Sequence, residues 1–172
     1  MRKYAFFLLT IFLALPASAQ RINIDIPGLA ERAAEVIDVT LDAQMLRVAS
    51  KFFSSRDSDR AVREMVNGLE GIYVRSYEFD KVGEYDRAIV DRLRSQLGAE
   101  WKKIVNVRSR DRENVEVFLH MRGDAVRGLF VISAEPRELT IVNIVGPIDI
   151  DKLGSLEGQF GIPKMSMEKG KQ

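Results

Sequence analysis

The stretch NVEVFLHMRGDAVRGLFVISAEPRELTIVNIV, residues 114–145, decides the fold. It divides into three runs rich in β-branched and aromatic residues, Asn114 to Met121, Arg127 to Ala134 and Glu138 to Val145, each of which reads as a strand. Polar turns at Gly123-Asp124 and Pro136-Arg137 separate them, and connections that short join antiparallel neighbours. A parallel pair would need a crossover of a dozen or more residues, so a doubly wound parallel sheet is disfavoured. A fourth run, Ile104 to Ser109, leads in across Asp111 to Glu113, and the four together predict a C-terminal antiparallel meander. Leu129-Phe130-Val131-Ile132 and Ile141-Val142 are apolar on both faces, which places the last two runs at the centre of the sheet.

Upstream, the periodicity alternates between two and 3.6 residues. Ile37, Val39 and Leu41 alternate with Asp38 and Thr40 as a half-buried strand from Val36. From Asp42, the spacing of Met45, Leu46, Ala49, Phe52 and Phe53 predicts an amphipathic helix ending near Ser54-Ser55. A second helix is expected after Ser58 as N-cap, with Ala61, Val62, Met65, Val66 and Leu69 inward and Gly68 and Gly71 closing it. Ile72 to Phe79 reads as a strand, and a turn follows at Lys81 to Gly83. The stripe Ala88, Ile89, Leu93 and Leu97 predicts a third helix, with Gly98 as a left-handed cap. Helices early and strands late make the class α+β: one antiparallel sheet covered by amphipathic helices, a two-layer sandwich.

The ends read differently. Arg2 and Lys3, the apolar run Tyr4 to Leu15, and Ala17-Ser18-Ala19 have the form of a cleavable export signal over residues 1–19. The apolar run falls short of the about 20 residues a membrane span needs, so no span is expected after cleavage. Residues 20–35 form a lead-in in which Ile22, Ile24 and Ile26 alternate with polar residues until Pro27-Gly28. A single domain is expected over residues 36–164 and a polar tail over 165–172. The chain has no cysteine, so stability in an oxidising compartment rests on packing alone. Cleavage also removes two basic residues and no acid, and the formal net charge of +1 falls by two. That balance excludes the basic excess a nucleic-acid binder needs for its phosphate contacts. Arg108, Arg110 and Arg112, interrupted by Asp111 and Glu113, read as a solvated turn.

GIYVRSYEF at residues 71–79 and AEPRELTIVNIVGPIDIDKL at 134–153 resemble the exported bacterial family known as domain of unknown function 4252, with similarity running from Val36 to Lys164. The resemblance implies export in Gram-negative bacteria, to the periplasm or beyond, and no assigned enzymatic activity. It also implies a link to envelope signalling, through genes for extracytoplasmic-function sigma factors that lie beside those of family members. It carries over no catalytic residue.

The chemistry legible in the residues is thin. His120 is the only histidine, lies inside a strand, and meets no serine in a Gly-flanked elbow, so no catalytic residue is assigned. One histidine and no cysteine leave zinc without ligands, and no cofactor is expected. Asp149 and Asp151 share an extended stretch, but the calcium-loop offsets fail and Asp151 reads as a helix N-cap. Gly154, Gly158 and Gly161 follow no strand and lack the lysine and hydroxyl of a phosphate loop. Arg122-Gly123-Asp124 is a hairpin turn. The binding candidates are Tyr73, Arg75 and Tyr77, placed by alternation on one strand face, where two rings flanking a guanidinium could stack a sugar or grip a carboxylate; cross-strand packing accounts for the same residues. The function expected is a non-catalytic binding or interaction module of the bacterial envelope, its partner an envelope protein or a small ligand. A hydrolase or other enzyme is the alternative.

Overall fold

A computed structural model describes residues 21–52, 57–109 and 114–149. Six strands, β1 Glu35–Asp42, β2 Gly71–Glu78, β3 Trp101–Arg108, β4 Asn114–Arg122, β5 Ala125–Ala134 and β6 Glu138–Val145, form one sheet in the order β1-β2-β6-β5-β4-β3. Every pairing is antiparallel. The doubly apolar β5 and β6 are central, because only there can both of their faces escape water.

Among the described residues three α-helices accompany the sheet: α1 Ala43–Ala49, α2 Asp57–Gly68 and α3 Ala88–Arg94. Asp42 ends β1 and caps α1, its carboxylate accepting from the Met45 N–H at 2.8 Å, and the helix passes into a 3-10 turn over Ser50–Phe52. Helix α3 is shorter than the apolar stripe predicts. It closes at Ser95 in right-handed geometry, and Gly98 is not among the glycines of positive φ; instead its carbonyl accepts from the Trp101 N–H as the chain turns into β3.

Both faces of the sheet are covered, and this corrects the two-layer expectation. On one face Leu46 of α1, Met65 and Val66 of α2 and Leu69 just beyond it pack with Ile72, Val117, Leu129, Val142 and Ile144. On the other, Ile89, Val90 and Leu93 of α3 join Phe79, Phe118, Phe130, Ile132 and Ile141. That second cover includes the lead-in: Ile22, Ile24 and Ile26 are buried and alternate with exposed neighbours, and Leu29 is 0% exposed. The described part of the lead-in, residues 21–35, thus supplies a wall of the core.

Gly146 makes one backbone crossing possible. Its φ is +125°, and a Cβ there would stand 2.8 Å from the Glu70 N and 2.9 Å from the Leu69 Cα, so only glycine lets the end of β6 pass the α2 to β2 junction. No helix among the described residues is long and apolar enough to cross a membrane. The expected signal over residues 1–19, the polar tail, and the readings of Arg110 to Glu113, Asp151, Gly154, Gly158 and Gly161 lie outside the described residues.

Candidate functional site

The antiparallel register of β1 and β2 sets Asp38 opposite Arg75, Thr40 opposite Tyr73 and Val36 opposite Tyr77, all on the face that carries α3. Asp38 and Arg75 form an ion pair through Arg75 Nη1, which also donates to the Val74 carbonyl at 3.4 Å. Among the described residues the Nε and Nη2 of Arg75 meet no hydrogen-bond partner, so one edge of the guanidinium fork is available to a carboxylate or a similar two-oxygen acceptor.

The lead-in crosses this face and is tied down at two points. The Ile22 N–H donates at 3.0 Å to Oδ1 of Asn143, which is fully buried in β6 opposite Tyr73. Asn23 exchanges two hydrogen bonds with Gln96 beyond α3, its N–H donating to Oε1 at 3.1 Å and its carbonyl accepting from Nε2 at 2.9 Å. Between residues 21–25 and the side chains of Thr40, Tyr73 and Arg75 lies an open cleft of about 280 Å³. The Arg21 guanidinium stands 4.3 Å from the centre of the Tyr73 ring, a cation held on an aromatic face at the cleft wall.

The three candidates therefore part company. Tyr73 and Arg75 line the cleft, whereas Tyr77 is 2% exposed, packed beneath the lead-in near the Ile26 backbone. Burial raises the Tyr77 hydroxyl above its ordinary value near 10, against the pull of the Arg75 charge. Arg21, Asn23, Asp25 and Thr40 also line the cleft. Sequence reasoning did not assign them, although the alternating isoleucines already signalled that one side of residues 22–26 faces something apolar.

The remaining candidates sit elsewhere. His120 is buried on the α3 face with its ring 5.1 Å from that of Trp101 across the β3–β4 pair, and neither His120 Nδ1 nor Trp101 Nε1 finds a partner among the described residues. The hydroxyls of Ser76, Ser133 and Thr140 lie on the opposite face by alternation, so the sheet stands between the imidazole and each of them. Asp149 lines a more open depression of about 530 Å³ with Glu64, Asp124 and Arg127. Among the described residues no group of three His, Asp or Glu side chains is placed to hold a metal ion.

Burial holds the His120 imidazole below its ordinary value of 6.5, Glu100 opposing the shift and Arg122 and Arg127 adding to it. The folded chain therefore keeps His120 neutral at a pH where the unfolded chain protonates it. Stability should be whole above about pH 6.5, fall as the pH drops below that value, and level off once the depressed folded value is passed. Urea midpoints at pH 7.5 and 5.5 should differ more for the wild-type chain than for His120→Phe; equal differences would show that this imidazole does not govern the acid response.

Comparison with known proteins adds one match. The family described as Domain of unknown function (DUF4252) matches residues 31–156. No curated protein and no solved structure matches the chain.

Proposed function

We propose a function from one premise: the chain belongs to the family described as Domain of unknown function (DUF4252). It is a non-catalytic binding or interaction module of the bacterial envelope, exported to the periplasm or secreted and cleaved after Ala19, and it serves envelope signalling by binding an envelope protein or a small ligand. The C-terminal meander and its helical cover act as the rigid platform. The recognition surface is the cleft over β1 and β2, where Tyr73 and Arg75 meet Arg21. The observation that carries this reading is that the Nε and Nη2 donors of Arg75 have no partner among the described residues, beside an aromatic ring, in a concave site. An acceptor such as a carboxylate, presented by a small ligand or by a protein side chain, suits that fork.

Arg75→Ala tests it. Asp38, the residue left behind, is 56% exposed and stays hydrated, so the ion pair contributes about 1 kcal/mol or less and the thermal midpoint should move by only a few degrees. Capture of the cognate partner from envelope extract should weaken about tenfold or more, as truncated arginine anchors do. Undiminished capture would remove the cleft from consideration, and a collapsed thermal midpoint would mark Arg75 as structural.

A further inference from the structure

The two outer strands of the sheet carry opposite charges. Glu35, Asp38 and Asp42 are the charged residues of β1, and Lys102, Lys103 and Arg108 are those of β3, so one edge holds three acids and no base while the other holds three bases and no acid. Each edge strand is eight residues long, and among the described residues each pairs with a neighbour on one side only. Each also exposes two large apolar side chains: Val36 and Ile37 at 41% and 48% on β1, and Ile104 and Val107 at 55% and 49% on β3. Isolated surface apolar residues need no explanation, but pairs of them on an open strand edge template a further strand.

We infer that the acidic β1 edge of one copy of this chain adds to the basic β3 edge of a second copy, head to tail. Charge excludes the two symmetric alternatives, since β1 against β1 sets acid on acid and β3 against β3 sets base on base. Topology favours the remaining one. With six strands all antiparallel, β1 and β3 run in opposite directions, so a second copy brought alongside without turning over meets the first in antiparallel register with like faces on the same side. Alternation then matches as well: a register with Ile37 opposite Val107 and Val39 opposite Val105 puts apolar against apolar on the α1 and α2 face. In the same register Arg108 comes to the Glu35 end of β1, and Lys102 and Lys103 to its Asp42 end. The shift in the β3–β4 pairing between Lys103 and Val105 leaves Ile104 as an extra residue that interrupts the new ladder, so association is weak and concentration-dependent. The inference does not rest on ligand binding in the cleft, although β1 also supplies Thr40 to the cleft lining and Asp38 to the pair with Arg75.

Sedimentation velocity on the protein purified from cells expressing the full chain tests it, in about 0.01 M salt, where charges act over about 30 Å, and in 1 M salt, where they act over about 3 Å. The expected result is a mass that rises with concentration at low salt and returns to that of one chain at high salt. Two variants alter exposed positions on opposite edges: E35K/I37K cancels the charge of β1, and K102E/R108E reverses that of β3. Each alone should weaken association at least tenfold while keeping the far-UV circular dichroism of the wild type. Mixed, they should form a one-to-one dimer and nothing larger, because each retains one working edge. If a double variant loses its fold, E35K and K102E alone repeat the mixing. A wild-type chain that stays single at every concentration, association that neither variant weakens, or variants that fail to pair when mixed would overturn the inference.

Discussion

Leu29→Ala should lower the thermal midpoint by roughly 10 °C, corresponding to a loss of about 3 kcal/mol or more from a cavity in a fully buried site. The size of this effect is the point, because Leu29 lies outside the matched family region of residues 31–156, where a flexible leader would be the ordinary guess. Leu29 is instead part of the cluster that holds Phe79, Tyr85 and Ile89, and its carbonyl accepts from the N–H groups of Arg32 and Ala33. The same substitution loosens the wall of the cleft, so capture of the partner should fall with it. Asn23→Ala, at an exposed position, removes no core volume, keeps both backbone bonds to Gln96 and loses only the side-chain acceptor of the Asp25 N–H, so it should cost about 1 kcal/mol or less. A Leu29→Ala loss below about 1 kcal/mol in a urea titration would show that the lead-in is dispensable.

The double substitution R94M/K103M should be comparably severe, at about 3 kcal/mol or more, because it strands a buried charge. Glu116 of β4 keeps 7% side-chain exposure and accepts from Arg94 Nε at 2.7 Å and from Lys103 Nζ at 3.1 Å, which ties α3 and β3 to β4. Its two partners are 38% and 33% exposed, so water compensates them when they lose Glu116 far better than it compensates Glu116 when it loses them. Either single substitution leaves one cation in place and should cost about 1 kcal/mol. The triple variant R94M/K103M/E116M replaces the ionic group with apolar volume and should regain most of the loss. If denaturant midpoints show the triple variant as weak as the double, lost packing rather than the isolated carboxylate is the cause.

The strands were legible because alternation is local: Ile37, Val39 and Leu41 announce β1, and the turn at Gly123-Asp124 announces the β4–β5 connection without reference to the rest of the chain. How β1 and β2 join the late strands was not. β2 lies against β6 through pairs such as Val74 with Val142, and no nearby residue encodes that choice. The number of layers was legible and misread. Leu129-Phe130 and Ile141-Val142 offer apolar side chains to both faces, and a strand of that kind demands cover on both, as α1 and α2 on one side and α3 with the lead-in on the other provide. Gly98 misled because a glycine after an apolar stripe resembles a cap, whereas α3 had already closed at Ser95. Alternation put Tyr73, Arg75 and Tyr77 on one face, yet the lead-in separates the buried Tyr77 from its two neighbours. Arg21 and Asn23 were beyond reach, since the bond that fixes the lead-in joins Ile22 to a side chain 121 residues away.

That bond also sets an order of events. Ile22 and Asn143 stand 121 residues apart, so the cleft closes only after β6 has been made and a long loop has been formed. β1 and β2 can pair early through a shorter loop, but until β6 arrives β2 has one neighbour and Tyr73 has no Asn143 beside it. A chain cut short before β6 therefore lacks the anchor for Ile22, whatever helices and hairpins it has already made. On the function proposed here, a ligand that needs both walls of the cleft would therefore recognise finished molecules and pass over partial ones.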